Sequence, residues 1–416
     1  MGIRLTIAFA LALIGSALNS SAETLQQFSG FASLGLVSNS NDDLLFRRDI
    51  TQSTGSSGND IKWRNDTNLG LQWQAEWSPE WQTTAQVIFK DRPKNNEEEV
   101  LEWAFVRYRP NDSLDIRAGR MAADIFLVSN YRQVGYALQS VRPPEDTYAL
   151  LSFFHFDGVD FNQRFDLADG TLSLKGFYGQ SDQEYPTSAN SKDLFELEFS
   201  GGGLSLSWEK DEWKMRYSYA NVTINNENET ALITALEIAT PLWADAKPLR
   251  EGLSIQTKSF NYNQISVAYD NNTWWAQSEI TQLVSSAQVL HSTDQFYLTV
   301  GRRFDQFSLY ATSGFVHTID PPISLIAPSI YSPEINEQLA SLAYATERTY
   351  NSSRANQHSV GIGVRWDFTR KMALKAQIED FKIDKNGSAL WIEKNNTNPP
   401  KAQNARVISV SMDVMF

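Results

Sequence analysis

Charged side chains recur at every second position along several stretches of this 416-residue chain. Asp115 and Arg117 flank an apolar residue, and so do Lys214 and Arg216, and Arg365 and Asp367. Arg303, Lys375 and Glu379 stand in like settings, and Gly119-Arg120 closes the stretch that holds Arg117. A second charged set falls within one irregular segment, residues 121–149: Asp124, Arg132, Arg142, Glu145 and Asp146. Fixed charges of both signs facing one another across a narrow space sort ions by sign. Bases outnumber acids at the alternating positions, so a transverse field between a basic wall and loop carboxylates is expected to favour anions. Any one of these charges can equally be solvated or paired with a neighbour, which would select nothing.

Other chemistry finds little footing. The four histidines are His155, His291, His317 and His358, and only His358-Ser359 sets a hydroxyl beside an imidazole. Adjacent strand residues point to opposite faces, so that pair cannot bond. No two histidines fall at ligand spacing and the chain has no cysteine, so no metal site is expected. No glycine-rich phosphate loop is present, and no cofactor is expected. The chain is therefore expected not to be an enzyme. A net charge of −13 argues against a nucleic-acid partner, whose phosphates need a basic face.

The elements that would position these charges are strands. Trp213, Met215, Tyr217 and Tyr219 interleave with Lys214, Arg216 and Ser218; Val360, Ile362, Val364, Trp366 and Phe368 interleave with Ser359, Gly361, Gly363, Arg365 and Asp367. Such alternation encodes a strand with one apolar and one polar face. The connections between strands come in two alternating sizes. Short ones are Ser78-Pro79-Glu80, Pro110-Asn111-Asp112, Leu167 to Gly170, Lys210-Asp211-Glu212, Asp270-Asn271-Asn272, Asp305 and Thr369-Arg370. Long ones lie near 38–60, 92–98, 121–149, 181–191, 225–252, 286–293, 320–355 and 385–403.

Short turns on one rim and long loops on the other describe a transmembrane antiparallel β-barrel, an all-β fold of about sixteen strands with short periplasmic turns and long extracellular loops. The stretch Asp193 to Glu209 is read as one strand through Gly201-Gly202-Gly203, which keeps the up-and-down parity. Aromatic residues beside the short turns (Trp77, Trp81, Tyr108, Trp208, Trp213, Tyr269, Trp274, Trp275, Phe304, Phe307, Trp366 and Phe368) fit an interfacial belt. Ser332-Pro333 reads as the start of a helix in one loop, and Thr230 to Ala239 as an apolar segment packed over another.

Residues 1–22 carry Arg4, the apolar run Leu5 to Leu18, and Ser20-Ser21-Ala22, the layout of a signal peptide cut before Glu23. Residues 23–416 then form a single barrel domain. The segment 121–149 is too long for a turn and crowded with Tyr, Arg and Pro. Irregular loops of that length are commonly functional, and inside a barrel its natural place is folded inward as a constriction.

The alternating last stretch Arg406 to Phe416, ending on phenylalanine, the strand ending in Gly119-Arg120 and the long third loop together resemble the general porins of the bacterial outer membrane. The resemblance implies passive diffusion of small hydrophilic solutes and ions, a homotrimer, contact with outer-membrane lipid and lipopolysaccharide, and recognition of Phe416 by the barrel-assembly machinery. The acidic PEF-type loop motif of enterobacterial porins is missing, which puts their residue-level constriction in doubt here. The residues expected to line the pore are Arg117, Arg120, Asp124, Arg132, Arg142, Glu145, Asp146, Lys214, Arg216, Arg303, Arg365 and Lys375. The alternative is a substrate-specific channel, in which Tyr131, Tyr136, Tyr148 and nearby arginines guide sugars or organic and phosphorylated anions. Those tyrosines can equally pack the loop to the wall.

Overall fold

A computed structural model describes residues 25–94, 97–151, 154–187, 194–228, 230–394 and 401–416. The expected signal peptide lies outside the described residues. Sixteen antiparallel strands form a closed barrel. In chain order they are β1 Leu25–Asn39, β2 Asn68–Glu76, β3 Trp81–Lys90, β4 Leu101–Asn111, β5 Leu114–Met121, β6 Phe156–Leu167, β7 Gly170–Pro186 and β8 Leu194–Lys210. They continue with β9 Trp213–Ile224, β10 Ser259–Asp270, β11 Trp274–Ser285, β12 Thr293–Phe304, β13 Phe307–Thr318, β14 Ala355–Thr369, β15 Met372–Ser388 and β16 Gln403–Met415. Each pairs with its chain neighbours, and β16 returns to β1 with Leu34 opposite Met412. Closure leaves no unpaired edge, which a strand assembly in a bilayer requires.

The seven expected short turns all occur where the sequence set them. Asp211, Asn272 and Asp305 hold positive φ at three of these turns, a conformation Asp and Asn tolerate better than most residues. The segment around the three glycines is one continuous strand, β8. Three loops run longer than expected, one of them the loop after β9, which reaches Lys258 instead of residue 252. The first reaches Thr67 instead of residue 60, because it folds back on itself: Leu44–Leu45 pairs with Ile392–Glu393 and Ile61–Lys62 pairs with β1. The loop after β5 runs to His155.

The alternation resolves into an apolar exterior and a polar interior. On β9, Trp213, Met215, Tyr217 and Tyr219 point outward while Arg216 and Ser218 are buried. On β16, Ile408, Val410 and Met412 point outward, whereas Ser409, Ser411 and Asp413 are buried. A continuous apolar exterior of this kind is stable only against lipid. Near the short-turn rim, Trp81 stacks on Tyr108 with ring centroids 4.6 Å apart, and Phe307 on Trp366 at 5.8 Å.

Over the long-loop rim, three helices cover the ends of β8 to β10. With the single turn Glu145–Tyr148 as α1, these are α2 Ala231–Ala239, α3 Ala246–Leu253 and α4 Pro333–Asn351. The Thr230 hydroxyl caps α2 by accepting from the Ile233 amide at 3.4 Å, and Pro333 starts α4 where its missing N–H has no partner to lose. Leu236, Trp243, Leu253, Leu339 and Tyr350 pack together with Leu197 and Phe199 of β8.

Candidate functional site

Between Met121 and Phe156 the chain leaves the wall and returns to it, and the side chains along the way bond to the inner faces of strands around much of the barrel. On one flank, the Arg142 guanidinium is fully buried. It pairs with Asp66, Glu145 and Glu379 and donates to the Ser409 hydroxyl at 2.8 Å. Burial opposes its charge, yet the three carboxylates hold its pKa above the ordinary value. Lys375 of β15 donates to the Gly135 and Ser140 carbonyls at 2.6 and 3.0 Å and pairs with Asp413 at 2.9 Å. Arg365 of β14 donates to the Tyr136 and Leu138 carbonyls at 2.8 and 2.6 Å. Asp146 accepts from Gln357 at 2.6 Å and from the Ser359 hydroxyl. Burial pushes the Asp146 carboxyl up to about 7, against the pull of those two hydrogen bonds.

On the other flank, Glu279 of β11 collects four donors: the Leu127 amide at 3.0 Å, Gln264 at 2.5 Å, the Tyr297 hydroxyl at 2.7 Å and the Tyr148 hydroxyl. Arg216 of β9 pairs with Asp124 at 2.7 Å and donates to the Phe126 carbonyl at 2.9 Å. Lys175 of β7 reaches the same carboxylate. Phe126, Val128 and Tyr148 pack against Tyr262, Leu283 and Tyr297 of the wall. Tyr148 therefore anchors the segment, which is the packing role the sequence left open for it.

The residues expected to line the pore thus divide. Asp124, Arg142, Glu145, Asp146, Arg216, Arg365 and Lys375 meet in the contacts between the loop and the wall. Their protons and lone pairs are taken up there, so the expected field between a free basic wall and free loop carboxylates does not arise from them. Arg132 lies over the Phe154 ring, 4.2 Å from its centroid. Arg120 pairs with Asp157 at 2.8 Å. Lys214 pairs with Glu209 at 2.6 Å beside a short turn. Arg303 pairs with Asp270 at 2.6 Å and lines a space of about 230 Å³ under the loop, together with Pro143 and Pro144.

One part of the inner wall carries charges that keep access to water. On β4 to β6, Arg107, Arg109 and Arg117 have side chains 25%, 34% and 23% exposed. Arg109 bonds Asp115 at 3.0 Å and Arg117 bonds Asp160 at 2.9 Å. Arg107 stands directly across from Arg117 in the strand register, a like-charge pairing that works against sheet stability. Only Arg117 of the three was singled out from sequence. Arg107 and Arg109 alternate with Val106 and Tyr108, which was the available signal. Trp103 and Phe105 share their parity and hid it. Lys175, between Leu174 and Gly176, carried the same weak signal.

No protein-family model matches the chain, and no curated protein matches its sequence. Solved structures match it by fold. The outer membrane channel DcaP of Acinetobacter baumannii is 9% identical with a TM-score of 0.55, the alignment covering 95% of this chain and 99% of that one. Salmonella typhi OmpF, in a complex with daunomycin, is 13% identical with a TM-score of 0.51, covering 94% and 97%. In-vitro folded OmpT, an outer membrane protein of Vibrio cholerae, is 11% identical with a TM-score of 0.51, covering 96% and 99%. The expectation that the chain is not an enzyme does not stand: the likeness to OmpT removes the ground for it, since one barrel architecture hosts unlike activities. The apolar exterior places the barrel in a lipid bilayer, and the solved structures that share its fold are those of outer-membrane proteins. Its fold is that of the bacterial outer-membrane porins.

Proposed function

We propose that the chain is an outer-membrane channel through which small hydrophilic solutes and ions diffuse passively. The loop 122–155 is its constriction, and the path runs between that loop and the wall of β4 to β6. The observation that carries this reading is the arc of Arg107, Arg109 and Arg117: these side chains keep water contact, whereas Arg142 and Lys375 under the loop are fully buried and paired. Two arginines set opposite each other weaken a sheet, and a site retained against stability is a functional candidate. Among the described residues the ion-pair partners of the three arginines are Asp115 and Asp160, so a mild anion preference follows.

The proposal includes a homotrimer, since one matched OmpT structure of Vibrio cholerae, 9% identical with a TM-score of 0.52, is a trimer form. It also includes contact of the exterior with outer-membrane lipid and lipopolysaccharide. Phe416, whose amide donates to the Gly30 carbonyl at 3.0 Å and whose ring is exposed, is the proposed contact for the barrel-assembly machinery. The test is the reversal potential of refolded protein in a planar bilayer under a salt gradient. An anion-sign potential that moves toward the cation side in the double variant Arg107→Ser, Arg117→Ser supports the reading. No conductance, or a selectivity indifferent to both substitutions, refutes it.

A further inference from the structure

The loop has a second space on its other side, and this one is not hydrophilic. It measures about 660 Å³ and lies between the loop residues Ile125, Leu150 and Leu151, the inner faces of β7 to β10, and the end of α4. Its walls are rings: Phe177, Tyr185, Phe195, Phe199, Phe260 and Tyr262. A path for ions alone has no use for such a lining, because water bound there gains few hydrogen bonds.

Part of the room comes from the sheet itself. Gly119, Gly158, Gly179 and Gly201 stand opposite one another on four successive strands, β5 to β8. A Cβ on any of them would strike a neighbouring backbone carbonyl, so the row carries no side chains, and Gly179 and Gly201 form bare wall in the cavity.

The charged groups at its margin are already satisfied. Arg47 donates to the Ile50, Ala389 and Leu390 carbonyls at 3.0, 2.6 and 3.0 Å. Arg348 pairs with Glu393 at 2.7 Å, and Glu347 accepts from the Leu325 amide at 2.8 Å. Two polar atoms of lining residues, the Tyr262 hydroxyl and His155 Nδ1, have no hydrogen-bond partner among the described residues, and both are closed off from the cavity. Burial, with Arg120 nearby, lowers the His155 pKa to about 3, so the ring is neutral.

We infer that this cavity binds a neutral, apolar aromatic solute of two or so rings, its rings against the phenylalanines. Apolar cavities of this size commonly take ligands of roughly drug size through a few placed polar groups. As a station above the constriction the site deepens and rests on the channel reading; as a binding site it stands apart from it.

The test uses 2-naphthol, uncharged at neutral pH, titrated against the barrel in lipid nanodiscs, with empty nanodiscs subtracted for partitioning. Saturable binding is expected, weakened about tenfold or more by Ala220→Trp, which fills the cavity from β9. Circular dichroism confirms each barrel, and Val222→Trp replaces Ala220→Trp where that variant does not fold. Uptake no greater than by empty nanodiscs, or binding unchanged in the filled variant, overturns the inference. Conductance without such binding leaves the channel reading intact and removes the site. Binding without conductance keeps the site and removes the channel.

Discussion

Replacing Arg142 by methionine keeps most of the stem and removes the charge that Asp66, Glu145 and Glu379 share. Three carboxylates are then left buried around an apolar chain, and the Ser409 hydroxyl loses its donor. Removing one partner of a buried ion pair costs about 3–5 kcal/mol, because the remaining charge keeps its desolvation penalty without its compensation. That loss falls on the contact between the loop and β14 to β16, since the barrel ladder does not run through Arg142. At 1.36 kcal/mol per tenfold change, the detached loop becomes more populated by roughly two to nearly four powers of ten. Native-state hydrogen exchange reads this directly. The Val141 amide, bonded to Gln377 at 3.2 Å on the affected flank, is expected to exchange faster by that factor. The Leu127 amide, held by Glu279 on the far flank, is expected to change much less. Exchange at Val141 unaltered by Arg142→Met would refute the assignment of Arg142 as the anchor of that flank.

Further outcomes follow from neighbouring contacts. The Asp146 carboxyl titrates near 7 when folded and at the ordinary 3.8 when free, so the folded loop holds the extra proton between those values. Its anchoring is full below the free value of 3.8 and is lost progressively as pH rises to about 7; current noise from the loop should increase between about pH 4 and about pH 7 and level off above that, and Asp146→Asn should flatten that dependence. Glu279→Leu leaves the Leu127 amide, two tyrosine hydroxyls and the Gln264 amide without their acceptor. At about 1–3 kcal/mol for each buried unsatisfied group, loop residues near Leu127 should become cleavable by protease while the barrel still migrates as folded. Gly119 has φ +131°, where a side chain is strained by about 1–3 kcal/mol, so Gly119→Ala should lower the urea midpoint for unfolding.

The strands and turns were legible because each rests on local chemistry. Alternation sets the faces of β9, β14 and β16, and Asp211, Asn272 and Asp305 mark the turns that need them. The same rule fails at the long-loop ends of β7 to β10. On β8, Glu196 and Glu198 alternate with Leu197 and Phe199, so the rule points the acids inward; in the structure Leu197 and Phe199 are buried and the acids face out. Beyond the bilayer the outside of the barrel is wet, and the apolar side turns to the helices that cap it. The meeting of Arg142 with Glu379, 237 positions away, was not legible at all, because periodicity says which face a charge occupies and not which charge it meets. The arginine arc was half-hidden for a related reason: Trp103 and Phe105 make its strand look apolar on both sides.

The claim that the open path runs along β4 to β6, with the opposite wall sealed by the loop, is tested most directly by thiol access, since the chain has no cysteine of its own. Arg109→Cys places a thiol on the exposed arc, and Ser411→Cys places one on the buried face of β16. A water-soluble thiol reagent added to single channels in a planar bilayer is expected to step the current down in Arg109→Cys and leave Ser411→Cys unchanged. Modification of Ser411→Cys with no effect at Arg109→Cys would contradict the account.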